Sequence, residues 1–321
     1  MSIKIAGTGI ALPENHVSND ELATLADLDT TDEWIRTRTG ITNRYISSTE
    51  TLTGLASTAA ANALADAGAT PSDVDYLLCA TLGGETRTPA LACRIAENLK
   101  LTCASVDLNG ACTGFLYALD MASALIQTGR ARTILIVSAE KMSAHVDWHD
   151  RSTCVLFGDG AAACVVTAGT GLKYINLVTE PDSQVISLKS DMTGNNPLAP
   201  VHEPASFLYM DGQRVFKYAV NMMEQQIRSA LAAIDLPPEA IDYYLIHQAN
   251  RRIIDFAIGR LKQPTDKFPM NMDQYGNTSA VSIPLLLHEM RLAGSIRPGQ
   301  MLLLVAFGAG MTYGSCVLEW E

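Results

Sequence analysis

The chain has 321 residues, 48% of them hydrophobic and 18% charged, with a formal net charge of −11. The apolar content excludes a disordered chain, and the length suits one large globular unit or two fused domains. No apolar run reaches the roughly 18 residues a membrane span needs, and the acid excess argues against nucleic acid or an anionic membrane as a bulk partner. The seven cysteines show no C-x-x-C pair, which argues against a disulfide framework or structural zinc. The expectation is a soluble, cytoplasmic protein with reduced thiols.

In chain order, Ser2–Gly9 predicts a short strand, turned by Leu12-Pro13. Ser18-Asn19-Asp20-Glu21 looks like a helix start and is followed by the segment Thr30–Ile41. Leu52–Ala67 predicts an Ala-rich helix closed by Gly68, Val74–Ala80 a buried strand and Pro89–Leu99 a further helix. From Val106 the pattern gives an apolar strand, a Gly turn, and Cys112 at the mouth of a helix running to about Leu125. A strand at Thr133–Ser138 follows. This alternation indicates an α/β fold with mainly parallel pairing.

The chain also repeats itself. Ala69–Cys79 resembles Leu236–Ile246, with Asp75 and Asp242 lying 167 positions apart (242 − 75). Ile134–Val137 echoes Leu302–Val305 at an offset of 168 (302 − 134). Each is followed by a Gly-rich turn and a closing strand, at Phe157-Gly-Asp-Gly160 and Phe307-Gly-Ala-Gly310. The reading is a duplicated βα unit, residues 1–172 and 173–321, carrying the nucleophilic Cys in the first half and the His and Asn in the second.

A thiol at a helix N-terminus faces unpaired N–H groups and the positive end of the helix dipole, which favour thiolate. Small neighbours (Gly110, Ala111, Thr113, Gly114) leave room for a substrate carbonyl. His247 follows the predicted strand Asp242–Ile246, where α/β proteins collect functional groups, and Asn277 stands in the turn Tyr275–Ala280. Each alone has a plain structural explanation: Cys is commonly core, a lone His is commonly satisfied structure, and Gly-Asn is commonly a turn. Together they are the parts of a thiol-nucleophile site.

Gly110-Ala-Cys112-Thr-Gly114, His247-Gln-Ala-Asn250, Gly276-Asn277-Thr-Ser-Ala280 and Phe307-Gly-Ala-Gly310 resemble the signature set of β-ketoacyl-acyl-carrier-protein synthase III. The likeness extends to Asp32-Glu-Trp34, Phe157-Gly-Asp-Gly160 and Gly212-Gln-Arg-Val-Phe-Lys217, and so covers essentially the whole chain. It implies the thiolase-like fold, two related halves in five layers (α-β-α-β-α), as a homodimer. It implies an acyltransferase that starts fatty acid synthesis by decarboxylative Claisen condensation. An acyl-coenzyme A primer loads Cys112, and malonyl-acyl-carrier protein then loses carbon dioxide and attacks the acyl-enzyme.

The same resemblance makes Cys112, His247 and Asn277 catalytic, the latter two as donors to the thioester oxygen during decarboxylation. It places a second oxyanion hole at the backbone N–H groups of Cys112 and Ala309, where Ala309 replaces the middle of three family glycines. Coenzyme A falls to Trp34, Arg38, Arg151, Phe216, Ala249 and Asn250, with the adenine sandwiched between Trp34 and Arg151. The residue after Arg151 is Ser152, where the family often has Gly. Arg214, Lys217, Arg251 and Arg252, with Arg260 and Lys262 nearby, suit docking of an acidic carrier protein. Thr88 replaces a bulky Phe found in acetyl-specific members, so a roomier primer pocket is expected.

No cofactor is implied, acyl-coenzyme A being a substrate. His145 and His149, beside Asp147 and Asp150, lack a coherent further ligand, so no metal is expected. Rival readings are a thiol hydrolase, a non-catalytic synthase partner subunit, and a sister condensing enzyme of polyketide or other secondary metabolism.

Overall fold

Asp75 and Asp242, the matching residues of the sequence repeat, do the same work twice. Asp75 N–H donates to the Thr133 carbonyl (2.9 Å), and its carboxylate accepts from the Arg132 and Thr133 N–H groups (2.7 and 3.1 Å). Asp242 N–H donates to the Met301 carbonyl (2.9 Å), and its carboxylate accepts from Met301 N–H (2.7 Å). Each aspartate thus fixes the register between a short buried strand and its longer neighbour.

The computed structural model describes residues 2–189 and 206–321. One sheet has the order Ser2–Ala11, Asp159–Gly169, Thr133–Lys141, Tyr76–Ala80, Ala104–Leu108. The second has the order Leu172–Thr179, Thr312–Glu319, Met301–Gly308, Tyr243–Ile246, the same arrangement without a counterpart of the last strand. The helices Leu52–Asp66 and Leu91–Leu99 pack their apolar faces on the outside of the first sheet. The helices Gly114–Gln127 and Ser282–Leu292 lie between the sheets, where Phe115, Leu119, Ile283 and Leu287 meet residues of both. Gly212–Ala233 and Arg251–Leu261 cover the outside of the second sheet. The result is five layers, α-β-α-β-α, in a thiolase-like fold.

The pairing expectation needs correction. Tyr76–Ala80 is parallel to both its neighbours, and Tyr243–Ile246 to Met301–Gly308, but the remaining pairs in both sheets are antiparallel. Parallel return needs a crossover helix. The connections after Thr133–Lys141 and Met301–Gly308 contain none, so the chain comes back antiparallel.

Local chemistry sets several boundaries. Ser18 and Glu21 form a reciprocal capping box that starts the helix Asn19–Leu25. The expected helix at Pro89 begins at Leu91, where the Leu91 and Ala92 N–H groups donate to the Asp107 carboxylate (2.8 and 2.7 Å). No described helix is long and apolar enough to cross a membrane.

Candidate active site

Cys112 sits in the single turn Ala111–Thr113 that leads into the helix Gly114–Gln127, at the floor of a cavity of about 1970 Å³. Ala111 adopts φ 47°, a left-handed conformation unusual for a side-chain-bearing residue and found where a site dictates the backbone. The turn is clasped to the hairpin loop after Met301–Gly308. The Thr312 hydroxyl lies 3.0 Å from that of Thr113 and donates to the carbonyls of Gly110 (3.3 Å) and Ala309 (3.2 Å). Cys112 and Ala309, named together for one oxyanion hole, both line the cavity. Ala309 keeps a non-left-handed backbone, and the positive φ in its loop falls on Gly310 (123°).

His247 continues the strand Tyr243–Ile246, its N–H donating to the Val305 carbonyl (2.8 Å). Its Nδ1 lies 2.7 Å from Ser282 Oγ, and the ring meets Phe307 edge-on at 5.3 Å. When Ser282 donates to Nδ1, the ring proton resides on Nε2, the tautomer that makes Nε2 a donor. Burial pushes the His247 pKa down to about 3, so the ring is neutral. Asn277 is fixed by backbone bonds to Leu156 and Gly158, and its Oδ1 accepts from Ser279 N–H (2.9 Å). With its oxygen engaged, Asn277 has its amide donors left for the cavity. The two Gly-rich motifs meet here: a Cβ on Gly158 would lie 2.2 Å from the Tyr275 carbonyl oxygen.

The expected thiolate is corrected. Burial, aided by the Glu140 charge, pushes the Cys112 thiol up to about 11, and the neighbouring Ser279 side chain only partly offsets this. Walls contributed by residues far apart in sequence crowd the sulfur, which keeps only partial exposure to the cavity, and one helix end does not replace the lost solvation. At rest the site therefore holds a neutral thiol beside a neutral imidazole.

The cavity runs from Cys112 past His247, Asn277, Ala249 and Asn250 to Phe216, Trp34, Arg38 and Arg151. Trp34 is half-buried, with the guanidinium of Arg38 4.5 Å and that of Arg151 5.0 Å from its ring centroid. Arg151 also pairs with Asp29. Asn250 caps the helix Arg251–Leu261 by accepting from Arg252 N–H (2.9 Å), and its amide donates to the Arg38 carbonyl (3.1 Å). That bond ties the Trp34 helix, Asp32–Thr39, to the His247 loop.

The predicted docking residues and Thr88 lie off the cavity wall. Arg251 pairs with Asp255 (3.6 Å), and Arg252 donates to the Thr37 carbonyl (3.3 Å) at the rim. Arg214 pairs with Asp182 (2.5 Å), and Lys217 is exposed on the same helix. Thr88 is exposed and does not line the cavity, although Thr86 and Arg87 do. His145 lines the cavity at the end of the single turn Met142–Ala144, so the helical spacing with His149 is not realised. Three residues were not singled out from sequence: Ser282, Ser279 and the buried Glu140.

Family models match two parts of the chain: 3-oxoacyl-acyl-carrier-protein synthase III at residues 106–182 and its C-terminal part at residues 231–320. β-Ketoacyl-acyl-carrier-protein synthase III of Aquifex aeolicus is 40% identical over 321 residues, covering all of both chains. The enzyme of the same name from Allorhizobium ampelinum is 41% identical, covering 98% of each chain. Among solved structures, 3-oxoacyl-acyl-carrier-protein synthase III of Aquifex aeolicus superposes with a TM-score of 0.91 at 39% identity, over 99% of this chain and 100% of that one. A priming β-ketosynthase from the R1128 polyketide pathway gives 0.90 at 33% identity, over 100% and 97%. The cavity holding Cys112, His247 and Asn277 thus belongs to a carbon–carbon bond-forming acyltransferase, and the chain is a member of the β-ketoacyl-acyl-carrier-protein synthase III family.

Proposed function

We propose that the chain starts fatty acid synthesis by joining an acyl-coenzyme A primer to malonyl-acyl-carrier protein. Cys112 attacks the primer thioester and releases coenzyme A. Malonyl-acyl-carrier protein then loses carbon dioxide, and its enolate attacks the acyl-enzyme. Negative charge gathers on the malonyl thioester oxygen as the carboxylate leaves. His247 Nε2 and the Asn277 amide are the donors for that charge, and the backbone N–H groups of Cys112 and Ala309 serve the acyl thioester. The observation that carries the reading is the single cavity joining these groups to Trp34 and Arg151.

Adenine takes a place between Trp34 and the guanidinium of Arg151, which must draw back from the ring. Arg38, Phe216, Ala249 and Asn250 line the way to Cys112. Arg251 and Arg252 at the rim, with Arg214 and Lys217, present positive charge to the acidic carrier on a chain of net charge −11. The chemistry needs no cofactor or metal. The proposed halves are 1–172 and 173–321, a division supported by the two related sheets, and the cytoplasm suits an enzyme with free thiols.

A homodimer is supported by the edge strand Ala104–Leu108, which has one unpaired side among the described residues, and by exposed Val106 and Met121 on it and on the helix Gly114–Gln127. Thr88 then belongs to the partner's primer pocket, which it leaves open to branched or longer acyl groups. The likeness to the R1128 priming ketosynthase favours a second reading, a condensing enzyme of polyketide synthesis with the same site chemistry. The test is release of labelled carbon dioxide from malonyl-acyl-carrier protein with a series of primers. Condensation with several acyl-coenzyme A esters supports the proposal, and no release with any of them refutes it.

A further inference from the structure

Glu140, in the strand Thr133–Lys141, is 1% exposed. Its carboxylate accepts from Leu82 N–H (3.2 Å) and from the Ser279 hydroxyl (3.1 Å). Among the described residues no ion pair neutralises it; the adjacent Lys141 ammonium instead donates to the Glu50 carbonyl (3.3 Å). The titratable groups bearing on it are Asp159, Cys112 and Cys79. A buried carboxyl without a cation is costly to keep. Burial holds its pKa up at about 8.

Ser279 stands between this carboxyl and the nucleophile. Its hydroxyl donates to Glu140, which leaves its oxygen to accept from the Cys112 thiol; Ser279 and Cys112 line the same cavity, and the turn Ala111–Thr113 packs against the turn Ser279–Val281. The residue is held at φ 53°, with its N–H on Asn277 Oδ1. The backbone strain and the asparagine bond together fix the hydroxyl in place.

The reaction leaves one proton to be accounted for. The Cys112 thiol must lose it before attack, and the sulfur must regain it at the end. Neutral His247 is poorly suited to take it: burial makes the ring a very weak base, and its Nδ1 already faces Ser282.

We infer that Ser279 and Glu140 form a proton relay for Cys112. The inference rests on Cys112 being the acyl carrier. In acylation, the thiol proton passes to Ser279 Oγ as the Ser279 proton passes to the Glu140 carboxylate. The bond from Cys112 sulfur to the acyl carbon forms, the bond to coenzyme A sulfur breaks, and coenzyme A leaves as a thiolate that solvent protonates. In condensation, the malonyl carboxylate leaves as carbon dioxide, the new carbon–carbon bond forms, and the acyl–sulfur bond breaks. Cys112 then recovers its proton from Ser279, which is resupplied by Glu140. Each turnover takes one proton from solvent, matching the one carboxylate lost. Glu140 touches no substrate and acts through Ser279.

The test follows acylation in a single turnover by intact mass, with acetyl- and isobutyryl-coenzyme A, from pH 6 to 9.5. In the unaltered enzyme the rate rises about tenfold per pH unit and levels near pH 8, as Glu140 becomes the carboxylate the relay needs. Glu140→Gln keeps the hydrogen bond but accepts no proton, so the inflection disappears and the rate at pH 8.5 falls at least tenfold. Ser279→Ala gives the same result with Glu140 intact, and decides the matter if the Gln variant does not fold. Glu140→Asp restores an inflection. Variants that keep the original rate and pH profile overturn the relay while leaving Cys112 as carrier. Absence of any acyl adduct in the unaltered enzyme overturns the carrier assignment and the relay with it.

Discussion

Gly308 approaches Cys112 so closely that a Cβ at that position would lie 2.8 Å from the Cys112 nitrogen and 3.2 Å from its Cβ. The family's three-glycine turn is thus needed here first for contact and only second for flexibility. Ala309 fits because it follows that contact. Gly308→Ala is expected to push the cysteine turn aside, costing about 1–3 kcal/mol of stability through overpacking. Acylation should slow at least tenfold by a single-turnover assay, whereas Ala309→Gly should change the rate less than threefold.

Asn277 holds the Ser279 N–H with its oxygen, and in the proposed mechanism its amide donors serve the substrate. Asn277→Asp preserves the first contact and removes the second. Decarboxylation of malonyl-acyl-carrier protein should fall about 10²–10³-fold, as for loss of one oxyanion donor. Loading of Cys112 should survive, which separates the two half-reactions.

Ser282 Oγ lies 2.7 Å from His247 Nδ1, and in the proposed mechanism it donates there and keeps the ring proton on Nε2. Ser282→Ala frees Nδ1 to carry the ring proton. The decarboxylation rate should drop roughly tenfold, the scale of losing a group that orients a histidine. The Cys112 acylation rate should stay within about twofold of its original value.

Trp34 presents its ring to the guanidiniums of Arg38 and Arg151. Trp34→Ala should raise KM for acyl-coenzyme A about tenfold, the scale of one lost base-stacking contact, with kcat nearly unchanged. Equal losses in kcat and kcat/KM would instead place the ring in the chemistry.

Glu140 also gives stability a pH signature. Its folded pKa of about 8 lies above the ordinary carboxylate value, so folding favours the protonated form. Stability is therefore lost as pH rises from about 4.3 to about 8, by up to about 1.4 kcal/mol per unit. His247, with its pKa pushed down to about 3, works in the opposite direction below its ordinary value near 6.5. Glu140→Gln should match the unaltered protein in thermal denaturation near pH 4.5 and exceed it increasingly toward pH 8.

What the sequence reveals follows from how local each signal is. Asp75 and Asp242 are visible as an echo because each sits next to the strand it registers. Cys112, His247 and Asn277 stand in turns with their own composition, and the structure gathers them on one cavity. Glu140 gives no local sign: its partner Ser279 is 139 residues away, and the strand end carrying it looks ordinary. The thiol's protonation is not legible for the same reason, since the helix end is local and the burial is not. The antiparallel edges are not legible because the strands read alike in either direction, and only the missing crossover helix decides.

The most direct test of the account is the intact mass of the protein after mixing with acyl-coenzyme A esters of increasing length, beside Cys112→Ser. A gain of one acyl group, strongest with branched or longer esters and absent from the variant, is predicted. No adduct with any ester, or an adduct that survives in Cys112→Ser, would contradict the account.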